Sequence, residues 1–456
     1  MPKSQDIIKY IHLLDQFLAD PLHTRISNLE ISKALKKIHK EDEELFVSYL
    51  QKIPNEFLGD IALEFPEKYL KEFIEQLPKG DLVEVVSELD SDDAVDLLQD
   101  IEDINQETAD QILDSLDKND QEDIKKLKLY DENQAGAYMQ TELFSARYDE
   151  VIQDSINRFK ELKLNGELDN THNVFIMDSF DRLMFTLSLE DLLTFDFKKT
   201  YREELFHLEG EAFKALHVKD DTDINDVVHL FEEHELSALP VLSTSGHLIG
   251  RITADDIHTV IQDSATEQIY NLAGVDDEAE DEENFFEAGK QRGIWLFVNL
   301  LTAILASSVI QIFDTTLQSF IALAILMPIV ASMGGNAGTQ TLTVTVRRLA
   351  LGDIDLESSK DTIIKEVLLS LANGLIFALI LGLISVWWFS IPMLGIVIAL
   401  SMIINLFMAG FFGAVIPLVL KRLNVDPAVG SSVVLTTVTD IVGFFSFLGL
   451  AQLILV

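Results

Sequence analysis

One carboxylate stands alone in an apolar stretch. Asp440 lies in Thr436-Thr-Val-Thr-Asp440-Ile-Val-Gly443, the only charge between Pro427 and Val456. In hydrocarbon a carboxylate costs at least ~2.5 kcal/mol, and such residues usually mark ion or proton paths. No Lys or Arg falls within any of the long uncharged runs, so a buried basic partner is not on offer. Thr436 lies one helical turn before Asp440 and Gly443 three residues after it. A helix would therefore put a hydroxyl, a carboxylate and an uncovered carbonyl on one face, all oxygen ligands. Oxygen ligation suits hard cations such as Mg²⁺ and Ca²⁺. Mg²⁺ sheds water reluctantly and is commonly held through one or two carboxylates with several waters kept. One Asp per chain makes a thin site, and two chains about a two-fold axis would supply two. The expectation is a homodimer with a pore at or near the axis. A proton-coupled carrier is the competing use of such an Asp.

A second constellation is Pro328-Ile-Val-Ala-Ser-Met-Gly334-Gly335-Asn336-Ala-Gly338-Thr339-Gln340-Thr341. The proline and three glycines predict a break in helical regularity, tolerated at membrane depth only against protein or a water-filled cavity. Small residues also let helices pack closely. The polar Asn336, Thr339 and Gln340 favour a cavity-lining role over packing alone.

The elements that would hold these residues are membrane spans. Ile294–Phe313, Thr315–Val346, Val367–Leu420 and Pro427–Val456 are long runs with at most one charge. The third is too long for one crossing of a ~30 Å hydrocarbon core, and Phe389-Ser-Ile-Pro392 divides it, giving five spans. Lys290 and Arg292, Arg347 and Arg348, Lys360 and Lys365, and Lys421 and Arg422 fall on one side only if the N-terminal part is cytosolic and the C-terminus faces out. Eight Lys/Arg and eight Asp/Glu follow position 289, so the net charge of −42 belongs to residues 1–289. A surface that acidic repels nucleic acid and attracts cations. There is no cysteine, hence no disulfide framework and no thiolate chemistry. The N-terminus lacks the apolar core of a signal peptide, so export of the acidic part is not expected.

Residues 1 to about 135 read as short helices. Phe73-Ile-Glu-Gln-Leu77 with Asp81 and Glu84 recurs twelve residues on, at Val85-Val-Ser-Glu-Leu89 with Asp93 and Asp96, and a third copy begins near Ile112. Acidic caps such as Asp93 and Asp120 would start successive helices of a small superhelical array. From about Ala137 strands and helices alternate. His217 to Phe231, Glu235-Leu-Ser-Ala-Leu-Pro240-Val-Leu and Gly246-His-Leu-Ile-Gly250-Arg-Ile-Thr253-Ala-Asp255-Asp256 form the clearer unit. A weaker copy contains Val174-Phe-Ile-Met-Asp178 and Ser188-Leu-Glu-Asp191. The two in tandem resemble a CBS pair. Thr253 and Asp256 resemble its ribose-contacting pattern, although an N-cap followed by an acid looks the same. A helix over Ala254–Ala273 carries Asp263 and Glu267, and an acidic linker, Asp276–Glu283, follows. Phe285-Phe286 before Lys290 and Arg292 suits an interfacial segment.

The whole arrangement resembles the MgtE family of Mg²⁺ channels and transporters. Its most specific marks here are Met333-Gly-Gly-Asn-Ala-Gly-Thr-Gln340 with Arg347-Arg-Leu-Ala350, and Asp426-Pro-Ala-Val with Thr437-Val-Thr-Asp440-Ile-Val-Gly443. The resemblance implies a mostly α membrane protein and homodimer. Its parts would be an acidic helical superhelix domain (1–135), an α+β CBS pair (136–262), a connecting helix and acidic linker (263–290), and a five-span transmembrane pore domain (291–456). It implies that Asp440 binds the permeating Mg²⁺, with Thr436, Gly443 and Asn336 completing the site. It implies regulatory Mg²⁺ at Asp92, Asp93, Asp96, Asp255, Asp256, Asp263 and Glu267, and ATP as a candidate ligand at Thr253 and Asp256. The expected location is the cell (inner) membrane. Transport of Co²⁺, Mn²⁺ or Ca²⁺ and a non-transporting CBS-based sensor are the alternatives. No Walker motif, nucleophile elbow or His-rich metal site points to an enzyme.

Overall fold

The computed structural model describes residues 5–166, 168, 171–206, 215–275, 285–350, 354, 359–423 and 425–456. The acidic stretch Asp276–Glu283 lies outside them. The chain divides into two compact units, Met1–Ile261 and Gln262–Val456.

The first unit opens with eight helices: α1 (Gln5–Ala19), α2 (Asn28–Glu41), α3 (Glu43–Leu50), α4 (Asn55–Leu63), α5 (Glu67–Gln76), α6 (Lys79–Ser87), α7 (Ser91–Leu113) and α8 (Lys118–Leu127). A capping box between Ser27 and Glu30 starts α2. The residues before α4, α5, α6 and α7 are Pro54, Pro66, Pro78 and Asp90, spaced by twelve. Proline serves there because its fixed φ suits a helix start and its missing N–H costs nothing. The twelve-residue period therefore begins earlier than the Phe73 copy. It ends at α7, where Asn105 is non-helical (φ −156°) and its Oδ1 accepts the Thr108 amide at 3.2 Å. Asp93 and Asp120 are not caps. Asp90 and Asp117 hold those positions, and Asp93 and Asp120 lie in the first turns behind them.

Two three-stranded sheets follow with the same order of elements. β1 (Ser145–Arg147), α9 (Ile152–Leu164), β2 (Asn173–Met177), β3 (Leu183–Ser188), α10 (Leu189–Leu192) and α11 (Tyr201–Leu205) make the first. β4 (Val218–Lys219), α12 (Ile224–His234), β5 (Ala238–Leu242), β6 (Leu248–Thr253) and α13 (Ala254–Ala273) make the second. In each, the first strand pairs parallel with the central one and the last pairs antiparallel. The first sheet has its own core around Phe144, Ile176 and Tyr201. Val227, Leu239, Val241 and Ile252 of the second join the core of the α1–α8 array. Position 135 thus falls inside a continuous core.

The second unit holds five helices long and apolar enough to cross a membrane: Arg292–Ile312, Ile321–Ala350, Ser359–Phe389, Pro392–Arg422 and Ser431–Ile454. The first belongs to a helix that opens at Phe285, so Lys290 and Arg292 share one helix with the apolar run. Thr315–Ser319 is not part of the second span, because a short helix (Asp314–Ser319) ends at the extended Phe320. The expected break in the second span is absent: the helix runs without interruption across Pro328 and the glycines. Between the third and fourth spans, Ser390 (φ 55°) and the extended Ile391 turn the chain, and Pro392 opens the next helix. The fourth span is the most enclosed and the first the most open.

Candidate ion-binding sites

On the fifth span Asp440 is half-buried, and no hydrogen bond or ion pair reaches it among the described residues. Thr436 is exposed and its hydroxyl donates to the Ser432 carbonyl at 2.7 Å, leaving its lone pairs available. Gly443 departs from expectation. It is buried, and its carbonyl accepts the Ser446 hydroxyl at 3.2 Å. A serine three residues on folds back onto a helix carbonyl readily, so that oxygen is not bare.

On the second span one helix separates two roles by face. Ser332, Asn336, Thr339 and Gln340 are exposed, whereas Val330, Gly334, Gly338 and Thr341 are buried. Among the described residues Asn336 reaches only Ser332, whose hydroxyl its Nδ2 approaches at 3.5 Å. The two spans meet where Gly338 faces Leu435. The residue missed from sequence is Asn405, fully buried on the fourth span, whose Nδ2 donates to the Val330 carbonyl at 2.8 Å. A survey of charges passes over a neutral amide, and its place inside an apolar run was the available signal.

In the first unit the head of α7 meets the head of α13. Asp92 is buried with an unpartnered Oδ1. Burial first, then Asp256 and Asp93, hold its carboxyl well above the usual range. Asp93 is pushed up to about 7 by burial, with Asp256, Asp60, Asp96 and Asp90 adding repulsion. Asp96 rises to about 6 through partial burial of its carboxylate, then Asp100, Asp256 and Glu132; the residue as a whole is exposed, so water screens this effect. Asp256 rises to about 6 because burial outweighs the bonds from Thr253, with Asp255 and Asp90 adding repulsion. The Thr253 hydroxyl lies 2.5 Å from both Asp255 Oδ1 and Asp256 Oδ2, and its amide donates to Asp256 Oδ2 at 3.2 Å. One hydroxyl proton serves one of these contacts, and a carboxyl proton would complete the other. Thr253 and Asp256 thus bond to each other at a helix start. Asp60 and Glu132 are brought to Asp93 and Asp96 only by folding, whereas Asp90 and Asp100 stand three and four residues from them along the same helix.

Among the described residues no three Asp, Glu or His side chains are placed to hold a metal ion. The cluster as it stands is a set of mutually repelling acids. Asp263 and Glu267 lie on the part of α13 that belongs to the second unit. There Asn271 Nδ2 donates to Glu267 Oε1 at 3.3 Å and to Asp426 Oδ2 at 3.0 Å. This brings Glu267 to the loop before the fifth span.

Five apolar helices behind an acidic unit with a CBS-type sheet define a multi-pass membrane protein. Residues 327–450 match the MgtE divalent cation transporter model, residues 28–133 the MgtE intracellular N domain, and residues 213–263 the CBS domain. The chain is similar to the magnesium transporter MgtE of Thermus thermophilus, 31% identical over 348 residues, which are 76% of this chain and 75% of that protein. It is similar to the magnesium transporter MgtE of Enterococcus faecalis, 32% identical over 333 residues, 73% of this chain and 71% of that one. A solved cytosolic domain of the Mg²⁺ channel MgtE in complex with ATP aligns at 22% identity, covering 56% of this chain and 99% of that chain, with a TM-score of 0.45. The chain belongs to the MgtE family.

Proposed function

We propose that this protein carries Mg²⁺ across the cell (inner) membrane as a homodimer, with the acidic unit in the cytoplasm and the C-terminus outside. The observation that carries the reading is the half-buried, unpaired Asp440 on a span packed against the Asn336 helix. Two copies of Asp440 about a two-fold axis would hold a hydrated cation, with Thr436 and Asn336 offering oxygens beside it. Gly443 contributes close packing more than a ligand, since its carbonyl is engaged. Membership of the MgtE family and the names of the curated relatives favour Mg²⁺ over Co²⁺, Mn²⁺ or Ca²⁺.

Regulation follows from the acids. At low Mg²⁺, Asp92, Asp93, Asp96, Asp255 and Asp256 repel one another. Two like charges ~4 Å apart cost about 4 kcal/mol at an effective dielectric of 20. Moving a two-state gate from mostly open to mostly shut takes ~5.5 kcal/mol. Cytoplasmic Mg²⁺, bound with its waters among these acids and at Asp263 and Glu267, would relieve enough repulsion to hold the pore shut. ATP is a candidate second ligand of the CBS pair; binding it at Thr253 and Asp256 requires opening their mutual hydrogen bonds.

The test is Mg²⁺ flux into proteoliposomes. Asp440→Ala should abolish uptake while the dimer stays folded. Normal uptake by that variant rejects the pore site. Faster Mn²⁺ or Co²⁺ uptake than Mg²⁺ uptake by the parent rejects the assigned ion.

A further inference from the structure

Asn405 lies where the second, fourth and fifth spans converge, and two glycines make room for it. A Cβ on Gly334 would stand 2.2 Å from its Nδ2 and 2.9 Å from its Oδ1. A Cβ on Gly443 would stand 2.9 Å from Nδ2 and 3.6 Å from Oδ1. Nδ2 donates to the Val330 carbonyl, one turn before Gly334. The helix ladder is weak just upstream, because Pro328 offers no amide to the Ala324 carbonyl. Oδ1 is buried and accepts no hydrogen bond among the described residues. An orphaned buried acceptor is destabilising, and a leucine of similar volume would fill the same space without one. The amide is therefore costly to keep at this place, and what it supplies is a directional hold on the second span.

The hold has a geometric consequence. Successive residues of a helix are turned by about 100°. Gly334 faces Asn405, so Asn336, two residues on, is turned about 200° away, and it is exposed. Gly443 faces the same amide, and Asp440 lies three residues before it on the fifth span. One side chain thus bears at once on the rotation of the Asn336 helix and on its approach to the Asp440 helix. We infer that Asn405 is a positioning residue of the ion path: it touches no ion, but sets the angle at which Asn336 meets the Asp440 site. This rests on the transport reading above for its functional consequence. The rotation itself does not.

The parent has no cysteine, so a single Thr339→Cys on the exposed face of the second span reports that rotation. The full-length protein in proteoliposomes is labelled with a water-soluble maleimide, and Mg²⁺ flux is measured in parallel without the reporter. Asn405→Leu should melt at or above the parent's temperature, change the labelling rate at position 339 at least threefold, and raise the apparent KM for Mg²⁺ by about fivefold, the equivalent of one net hydrogen bond. Asn405→Ser is the second variant, with intermediate effects expected. Gly334→Ala should reproduce the labelling and KM changes of Asn405→Leu by displacing the amide, but with a lower melting temperature from overpacking, and should add nothing further to those two readouts in Asn405→Ala. A folded Asn405→Leu protein with parental labelling or parental KM overturns the inference, as does strict additivity of Gly334→Ala and Asn405→Ala. Undiminished flux through Asp440→Ala, with labelling still altered by Asn405→Leu, would reject the transport reading and leave the positioning intact.

Discussion

Replacing Asp93 by Asn should stabilise the acidic unit at pH 8 in the absence of divalent cations. Burial and the facing acids hold the Asp93 proton up to about 7 instead of 3.8. At 1.36 kcal/mol per pH unit, an ionised Asp93 costs the fold about 4 kcal/mol at pH 8. That is a ceiling, because neighbouring side chains relax. The sign follows from proton counts. Between about pH 4 and 7 the folded state keeps a proton that the unfolded state has lost, so stability falls as pH rises through that window and is level above it. Asn is neutral in both states and removes the slope. The assay is melting of the full-length protein in EDTA at pH 8 and pH 5, with and without added Mg²⁺. The variant should melt higher than the parent at pH 8 and gain less from Mg²⁺, and the difference should shrink at pH 5. Equal melting temperatures at pH 8, with equal gains from Mg²⁺, would refute the view that these acids repel and that cations relieve them.

Three further outcomes follow from the same structure. Neutralising Asp93, Asp96, Asp255 and Asp263 together should weaken closure by internal Mg²⁺; an unchanged Mg²⁺ midpoint in proteoliposome flux would exclude these acids from gating. Gly410→Ala would place a Cβ 2.2 Å from Ser370 Oγ and 3.2 Å from the Glu366 carbonyl, and overpacking of this kind should cost about 1–3 kcal/mol in denaturation of the membrane unit. Ser27→Ala removes one half of the capping box at the start of α2 and should cost the acidic unit about 1 kcal/mol, read from its own unfolding transition.

Much of this architecture was written in local pattern. Uncharged runs longer than a hydrocarbon core gave the spans, and Ser390-Ile-Pro392 marked the turn between the third and fourth. Alternating strands and helices marked the second CBS-type unit, and a twelve-residue offset marked the helical array. Each depends on residues near one another in the chain, so length, period and turn chemistry suffice to read it. The same local view erred where a neighbour or partner element decides the outcome. Glycines beside Pro328 read as a break, yet helices packed on the second span keep it continuous. The Gly443 carbonyl read as open, yet Ser446 covers it.

Convergence of distant residues belongs to tertiary structure alone. Asp256 meets Asp92 and Asp93 across some 160 residues of chain, and Asp60 joins them from a third helix. Their shared burial and repulsion arise only once α7 and α13 pack. Asn405 carries no charge and breaks no pattern strongly enough to mark its role. Its function is visible only when Val330, Gly334 and Gly443 surround it, because a hydrogen bond and a steric fit are set by position in space. The sequence determined which helices exist and which lone carboxylate they carry; packing determined which face each helix turns toward the others.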